Sequence, residues 1–335
     1  MRVLPQPYLL FLGDTTEPGF AKTAFGLRDW AGDKCVGEFA CGATVTTDLP
    51  HMTPAQAVVE GAKGLVIGVA NPGGVIPQSW RKSLVEALEA GLDIVSGMHV
   101  RLTDIPELAE AAALLGRRLI DIRVPPADIP VATGRKRSGK RLLTVGTDCA
   151  LGKKYTALAL ARAFRERGVD SDFRATGQTG IMIAGGGMPM DAVVSDFEAG
   201  AAEMLSPDAA PDHWDLIEGQ GSLAHPAYAA VSLGLLHGSQ PDVFVVCHEP
   251  GRSDMLGTAG YKVATIEEII DLTLALGRRT NPAIRCGGVS FNTSALDEAE
   301  ASALMERESE RLGLPVADPI RGGPALEALV SSCLA

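Results

Sequence analysis

The sequence reads Arg141-Leu142-Leu143-Thr144-Val145-Gly146-Thr147-Asp148-Cys149-Ala150-Leu151-Gly152-Lys153-Lys154-Tyr155 near its middle, and this stretch decides the fold. A short apolar run, typical of a buried strand, leads into a glycine-rich turn. Residues 153–167 then have helical spacing and end at Gly168. In such a unit the backbone N–H groups of the turn point inward, and the helix N-terminus adds partial positive charge. We therefore predict that residues 146–155 bind the phosphates of a nucleotide or a nucleotide-like ligand.

The turn departs from the general phosphate-binding motif in two ways. Five residues separate Gly146 from Gly152, where the general motif has four, and this spacing resembles the dethiobiotin synthetase branch of P-loop proteins. Lys154 stands where the general motif has a Ser or Thr whose hydroxyl binds Mg²⁺. An additional cation and a missing metal ligand favour a ligand whose phosphates are bound but not cleaved, such as coenzyme A. Two alternatives stay open, namely ATP with Mg²⁺ and a glycine-rich turn that binds no ligand.

Strands and helices alternate on both sides of this turn, which predicts parallel sheets covered by helices, an α/β fold. We predict a Rossmann-like N-terminal domain over residues 1–124, a linker over 125–140 and a dethiobiotin-synthetase-like P-loop domain over 141–335. Within the P-loop domain the pattern predicts, among other elements, a strand at Phe173–Thr176, a helix at Asp191–Leu205 and a strand at Trp214–Ile217.

The linker runs into a basic stretch, residues 135–141, in which five of the seven side chains are Arg or Lys. Such a run is typical of a solvated surface. The alternative is that it helps to neutralise a bound phosphate, since the glycine-rich turn begins five residues later.

Polar side chains follow several strands of the predicted second sheet, at the edge where ligands bind in open α/β sheets. Glu218 is a candidate general base or metal ligand, and His225 is a candidate proton carrier. The planar guanidinium of Arg252 offers paired N–H donors for a substrate carboxylate. Taken singly, each of these side chains is also typical of a polar loop or a helix cap. The predicted substrate-binding residues are Gln178, Thr179, Gln220, Arg252, Asp254 and Asn292.

Composition limits the classes of partner. The 335 residues carry a formal net charge of −11, which disfavours binding to nucleic acid or to an anionic membrane. No apolar run reaches the ~20 residues that a membrane span needs. The six cysteines form no CxxC pair and the histidines no HExxH motif, so we expect free thiols, no metal site and a cytoplasmic location. We expect small-molecule substrates and a homo-oligomer.

Four motifs in order identify a family resemblance: Val145–Lys154, Ala175–Ile181, Val194–Glu203 and Ile217–Pro226. Together they resemble a P-loop family, formerly of unknown function, that includes bacterial D-glutamate N-acetyltransferase. The resemblance implies transfer of an acetyl group from acetyl-CoA to the amine of a D-amino acid, chiefly D-glutamate, in D-amino-acid catabolism.

Placed on these residues, the reaction predicts that Glu218 or His225 removes a proton from the substrate amine. The backbone N–H groups of residues 219–221 would support the oxyanion, and Arg252 would anchor a substrate carboxylate. Two other functions stay open: an ATP- and Mg²⁺-dependent ligase or kinase of the dethiobiotin synthetase type, and a nucleotide-binding regulatory protein without turnover.

Overall fold

The computed structural model describes residues 3–258 and 260–335 and divides into two compact units. The first unit consists of Met1–Pro125 and Gln178–Ala192, and the second of Pro126–Gly177 and Val193–Ala335. Before residue 125 the strands and helices are β1 (Tyr8–Gly13), α1 (Lys22–Ala31), β2 (Cys35–Ala40), α2 (Pro54–Val59), β3 (Gly64–Ile67), α3 (Gln78–Glu89), β4 (Asp93–Ser96), α4 (Pro106–Leu115) and β5 (Leu119–Asp121). After it they are β6 (Lys140–Gly146), α5 (Lys153–Glu166), β7 (Ser171–Arg174), α6 (Gln178–Ala184), α7 (Glu198–Leu205), β8 (Trp214–Ile217), α8 (Ala229–Ser239), β9 (Val243–His248), α9 (Ile266–Gly277), β10 (Arg285–Phe291), α10 (Glu298–Leu312), β11 (Val316–Ala317) and α11 (Gly323–Leu334).

The first unit is built on a five-stranded parallel sheet in the order β2-β1-β3-β4-β5. Every residue of β1 is buried, because the strand is central and covered on both faces. Helix α3 buries an apolar stripe that includes Trp80, Leu84 and Leu88, whose spacing of four residues places them on one face. The Trp80 ring meets Phe11 of β1 edge-on, with the ring centroids 5.5 Å apart.

The second unit is built on a six-stranded parallel sheet in the order β11-β10-β9-β6-β8-β7. Strand β6 lies in the interior of this sheet between β9 and β8. The turn that follows β6 therefore leaves the carboxyl edge beside the turns that follow both neighbouring strands, which positions the site described below.

Most predicted elements are present, and two predictions of secondary structure are wrong. Strand β8 has the predicted bounds. The helix predicted at Asp191–Leu205 is α-helical only from Glu198, because the residues before it form two short 3₁₀ turns. The strand predicted at Phe173–Thr176 lies two residues earlier, and it is followed by helix α6, which belongs to the first unit.

Two of the five cations in the basic run have a structural role that neither sequence-based interpretation foresaw, whereas Arg135, Lys136 and Lys140 are exposed, as a solvated surface predicts. Arg137 and Arg141 are buried at the amino edge of the second sheet, opposite the phosphate-binding turn. The Arg141 guanidinium donates to Ser206 Oγ at 2.7 Å and to the carbonyl oxygens of Arg137, Ser138 and Pro207, among others. Burial lowers the pKa of both arginines. These two cations hold loops together and do not form a solvated surface.

Two composition-based expectations can be compared with the structure directly. All six cysteines are free thiols. Within the part of the chain that the structure describes, no helix is both long enough and apolar enough to cross a membrane.

Candidate functional site

The turn after β6 forms a loop that is anchored to the neighbouring strand β9. The Thr147 N–H donates to the Cys247 carbonyl at 3.1 Å, and Thr147 Oγ1 lies 2.9 Å from His248 Nδ1. Ala150 and Gly152 adopt positive φ angles of 54° and 103°, which turn the chain back toward the sheet before α5 begins. The N-terminal dipole of α5 is thus directed at the loop, as an anion-binding site requires.

Two lysines at the start of α5 supply cations to the loop. Lys153 is buried, and its ammonium donates to the Asp148 carbonyl at 2.7 Å. Burial lowers the pKa of Lys153, although neighbouring acidic groups oppose this effect. The Lys154 ammonium lies 4.3 Å from the centroid of the Tyr155 ring. Thr156, the next aliphatic hydroxyl along the helix, is buried with its Oγ1 2.8 Å from Ser290 Oγ, so it does not replace the hydroxyl that Lys154 displaces from the motif.

Asp148 ties the loop to the segment after β9. It is fully buried, and its Oδ2 accepts from Arg252 Nη1 at 3.1 Å and from the Leu256 N–H at 2.8 Å. Arg252 also donates to the Cys149 carbonyl at 2.8 Å and pairs with Glu249. The guanidinium therefore acts as a clamp on the loop, and its predicted contact with a substrate carboxylate stays a prediction.

Glu218 follows β8 and is buried beside the loop. Its Oε2 accepts the N–H groups of Thr176 at 2.9 Å and Gly177 at 3.0 Å. Burial raises the pKa of Glu218, although these hydrogen bonds and the charges of Lys154 and Lys153 act in the opposite direction. A carboxylate whose pKa lies above the ordinary range is closer to the value that suits a general base near neutral pH.

Two groups of the turn after Glu218, the Gly219 N–H and the Gln220 side chain, form hydrogen bonds within the protein. The Gly219 N–H donates to Thr144 Oγ1 at 2.9 Å, so it cannot serve the oxyanion as the sequence-based mechanism supposed. Gln220 Nε2 donates to Thr176 Oγ1 at 2.9 Å, and that hydroxyl donates to the Glu218 carbonyl at 2.7 Å. Gln220 and Thr176 thus fix the backbone that carries Glu218.

His225 lies on the same turn, close to the loop. The side chain is 1% exposed, and its Nε2 lies 3.8 Å from Asp148 Oδ1. Asp148, Cys149 and His225 each bring one potential metal-ligand atom within 4.8 Å of the others. Burial raises the pKa of the Cys149 thiol, which keeps it protonated.

The remaining predicted substrate residues form other contacts. Gln178 and Thr179 begin α6 in the first unit, where Thr179 Oγ1 lies 3.2 Å from Thr23 Oγ1. Asp254 pairs with Lys262 at 2.8 Å. Asn292 follows β10, and its Oδ1 accepts the Ser294 N–H at 3.2 Å. Neither Asp254 nor Asn292 forms a hydrogen bond with the loop in the described residues.

A cleft of ≈ 580 Å³ adjoins the loop at His248, and the predicted substrate residue Arg252 is among the residues that line it. Its wall includes apolar side chains from three elements, and its rim carries charged groups from α9 and α10. The lining residues used below are His248, Pro250, Phe291, Leu304 and Arg311.

The fold and the loop define the class: an α/β protein with an N-terminal Rossmann-like domain and a C-terminal P-loop domain. The chain belongs to the DUF1611 family. The model of its C-terminal part, a domain of unknown function described as a P-loop domain, matches residues 130–330. The model of its N-terminal part, described as a Rossmann-like domain, matches residues 33–125.

Two curated relatives carry the name D-glutamate N-acetyltransferase. The protein from Tritonibacter scottomollicae is 51% identical over 324 residues, which cover 96% of this chain and 97% of the relative. The protein from Pseudoalteromonas sp. is 48% identical over the same length and shares. A crystal structure of a DUF1611 family protein from Anabaena variabilis is 33% identical, covers 98% of each chain and matches with a TM-score of 0.83. The predicted fold class and family resemblance are confirmed.

Proposed function

We propose that this protein is a D-glutamate N-acetyltransferase, which transfers the acetyl group of acetyl-CoA to the amine of D-glutamate in D-amino-acid catabolism. Half of its residues are identical, over nearly its whole length, to relatives with that name. Within the chain, one observation supports the proposal. The phosphate loop has Lys154 in place of a magnesium-binding hydroxyl, and the buried carboxylate of Glu218 lies beside it.

The loop suits the phosphates of acetyl-CoA. An anionic donor must approach a chain whose net charge is −11, so it needs a local positive site. The loop amides, the α5 dipole, Lys153 and Lys154 supply one. A phosphate oxygen would replace the Asp148 carbonyl as the acceptor of the Lys153 ammonium.

The cleft beside the loop suits the adenosine part of the same donor. It is contiguous with the loop through the contact between Thr147 and His248. Apolar surface for the adenine ring is provided by Pro250, Phe291 and Leu304. Arg311 adds a cation at the rim, where it is paired with Glu267 and Glu308. The pantetheine arm is flexible, so the thioester can turn toward Glu218.

The chemistry then needs one base. The substrate amine attacks the thioester carbonyl carbon and its proton passes to Glu218, while the C–S bond breaks and the sulfur leaves as thiolate. Return of that proton to the thiolate gives free CoA and the N-acetyl amino acid, so atoms and charges balance. The raised pKa of Glu218 suits a base that must also give the proton up.

Release of free thiol from acetyl-CoA tests the function, measured with D- and L-amino acids in parallel. We expect turnover with D-glutamate, and a loss of ~10²- to 10⁴-fold in Glu218→Gln. Glu198→Gln is the matched control, because Glu198 is also a buried glutamate with a pKa raised by burial and has no contact with the loop. Product formation that requires ATP and Mg²⁺ in place of acetyl-CoA would instead favour the dethiobiotin synthetase type of reaction.

Two further expectations belong to this proposal. Six free thiols suit a reducing compartment, so we assign the enzyme to the cytoplasm. We also propose a homo-oligomer, which light scattering of the purified protein tests.

A further inference from the structure

The His225 imidazole is a buried group whose hydrogen bonding the mechanism above leaves unexplained. Its Nδ1 accepts the N–H of Ala227 at 3.1 Å, and its ring stacks on Tyr228 with the centroids 4.6 Å apart. Its Nε2 has no hydrogen-bond partner among the described residues, and the separation of 3.8 Å from Asp148 Oδ1 is too long for one.

These contacts fix which nitrogen carries the proton. A ring nitrogen that accepts an N–H must present its lone pair, so Nδ1 is unprotonated. The single N–H of the neutral ring is then on Nε2. In this arrangement His225 has no free lone pair with which to accept a proton, so it is not the general base that the sequence suggested. It is a donor directed at the loop.

The same assignment decides against a metal ion at Asp148, Cys149 and His225. A metal ion would take the lone pair of Nε2, which requires the proton on Nδ1. The Ala227 N–H faces Nδ1 and would then meet another N–H. Asp148 is in addition already paired with Arg252. A group that accepts a hydrogen bond fits the cluster better than a cation.

We propose that His225 donates its Nε2–H to a phosphate oxygen of the ligand held in the loop, and so acts as a specificity residue for a phosphorylated acyl donor. The inference rests on the proposed function for the identity of that donor. An unpaired buried donor destabilises the protein, and an anionic acceptor removes that penalty. A neutral imidazole that donates its N–H in this way has a precedent in enzyme sites. Asp148, Cys149, Tyr228 and the Arg252 guanidinium on Asp148 are the titratable or charged groups around the ring.

Calorimetric measurement of the binding of CoA and of inorganic pyrophosphate tests the proposed His225 hydrogen bond directly, without turnover. His225→Phe keeps the ring and its stacking on Tyr228 but has no N–H. We expect its Kd for both ligands to rise about 10- to 100-fold, as loss of a hydrogen bond to a charged group predicts. His225→Gln retains an N–H donor and should recover part of the affinity. Wild-type affinity in His225→Phe, or no binding of either ligand to the wild type, overturns the inference.

Turnover measured with two acyl donors separates phosphate binding by His225 from base catalysis. We expect His225→Phe to lose at least about 10-fold more kcat/KM with acetyl-CoA than with acetyl-N-acetylcysteamine, a thioester that has no phosphate. Equal losses with both donors would make His225 a base or a structural residue and refute the proposal. Wild-type protein that binds CoA but transfers no acetyl group would refute the proposed function alone.

A nitrogen-15 NMR measurement on histidine-labelled wild type needs no variant. We expect the His225 proton on Nε2 and a shift of that nitrogen when CoA is added. A proton on Nδ1 would contradict the assignment.

Discussion

Gly219→Ala is the substitution whose effect follows most directly from the coordinates. A β-carbon built on Gly219 would lie 1.7 Å from the Thr144 carbonyl oxygen, whereas real β-carbons essentially never approach another atom within 3.0 Å. The turn that carries Glu218 must therefore move away from β6 by about 1.3 Å, the difference between these two distances. Gly219 has no side chain because the Thr144 backbone occupies the space.

Two magnitudes follow from this displacement. Overpacking of this kind costs about 1–3 kcal/mol of unfolding free energy. A misplacement of ~1 Å in catalytic geometry can lower the rate ~10²-fold. We expect both effects, because the shift strains the sheet and also moves Glu218 relative to the loop.

The assay compares kcat/KM for thiol release with the thermal unfolding midpoint. Gly200→Ala is the matched control: its β-carbon would lie 1.8 Å from the Pro130 carbonyl oxygen, yet Gly200 has no contact with the site. We expect a similar loss of stability but normal turnover per folded molecule. Gly19→Ala meets nothing within 4 Å and should match the wild type in both measurements. A Gly219→Ala protein with wild-type turnover would refute the reasoning about the site.

Three other predictions concern buried charges. Because burial raises the pKa of Glu218, kcat/KM should rise with pH through a value above the ordinary carboxyl range. Burial disfavours the ionised carboxylate, so the unfolding temperature of Glu218→Gln relative to the wild type should increase as the pH rises. Burial lowers the pKa of His213, but hydrogen bonds to Asp170 and Asp215 outweigh it, so the folded pKa is raised. Wild type should therefore be more stable than His213→Gln at low pH. The difference in unfolding free energy, measured by urea unfolding across pH, should be fully present below the unfolded-state pKa of ~6.5 and should disappear as the pH rises through the folded-state pKa. Arg141→Met should lower the free energy of unfolding by about 3–5 kcal/mol, measured with urea, because it leaves several hydrogen-bond acceptors without their donor. Turnover per folded molecule should be unchanged.

The part of the site that the sequence could predict is the part made by consecutive residues. The phosphate loop depends on glycine spacing and on the order strand, turn and helix, which are all local. Glu218 was chosen as a candidate because a carboxylate directly follows a strand of the sheet. The spacing of Trp80, Leu84 and Leu88 in α3 is a local pattern of the same kind.

The structure adds contacts that the sequence-based assignments did not include. Gln178 and Thr179 were assigned to the site because they follow a strand, and they begin α6, which belongs to the first unit. Arg252 was assigned to a substrate carboxylate, and it also donates to Asp148, more than a hundred residues earlier. His225 was assigned as a candidate base, and its Nδ1 accepts the Ala227 N–H.

The α/β alternation, the phosphate loop and the family resemblance could be predicted from the sequence, because each depends on the order and spacing of neighbouring residues. Which polar groups already have hydrogen-bond partners depends on the folded chain. Arg137 and Arg141 look like surface cations in the sequence but are buried among carbonyl groups. The physical reason is that a buried polar side chain takes its role from the partner that folding brings to it. Those partners lie as far as a hundred residues away, beyond the reach of any local pattern.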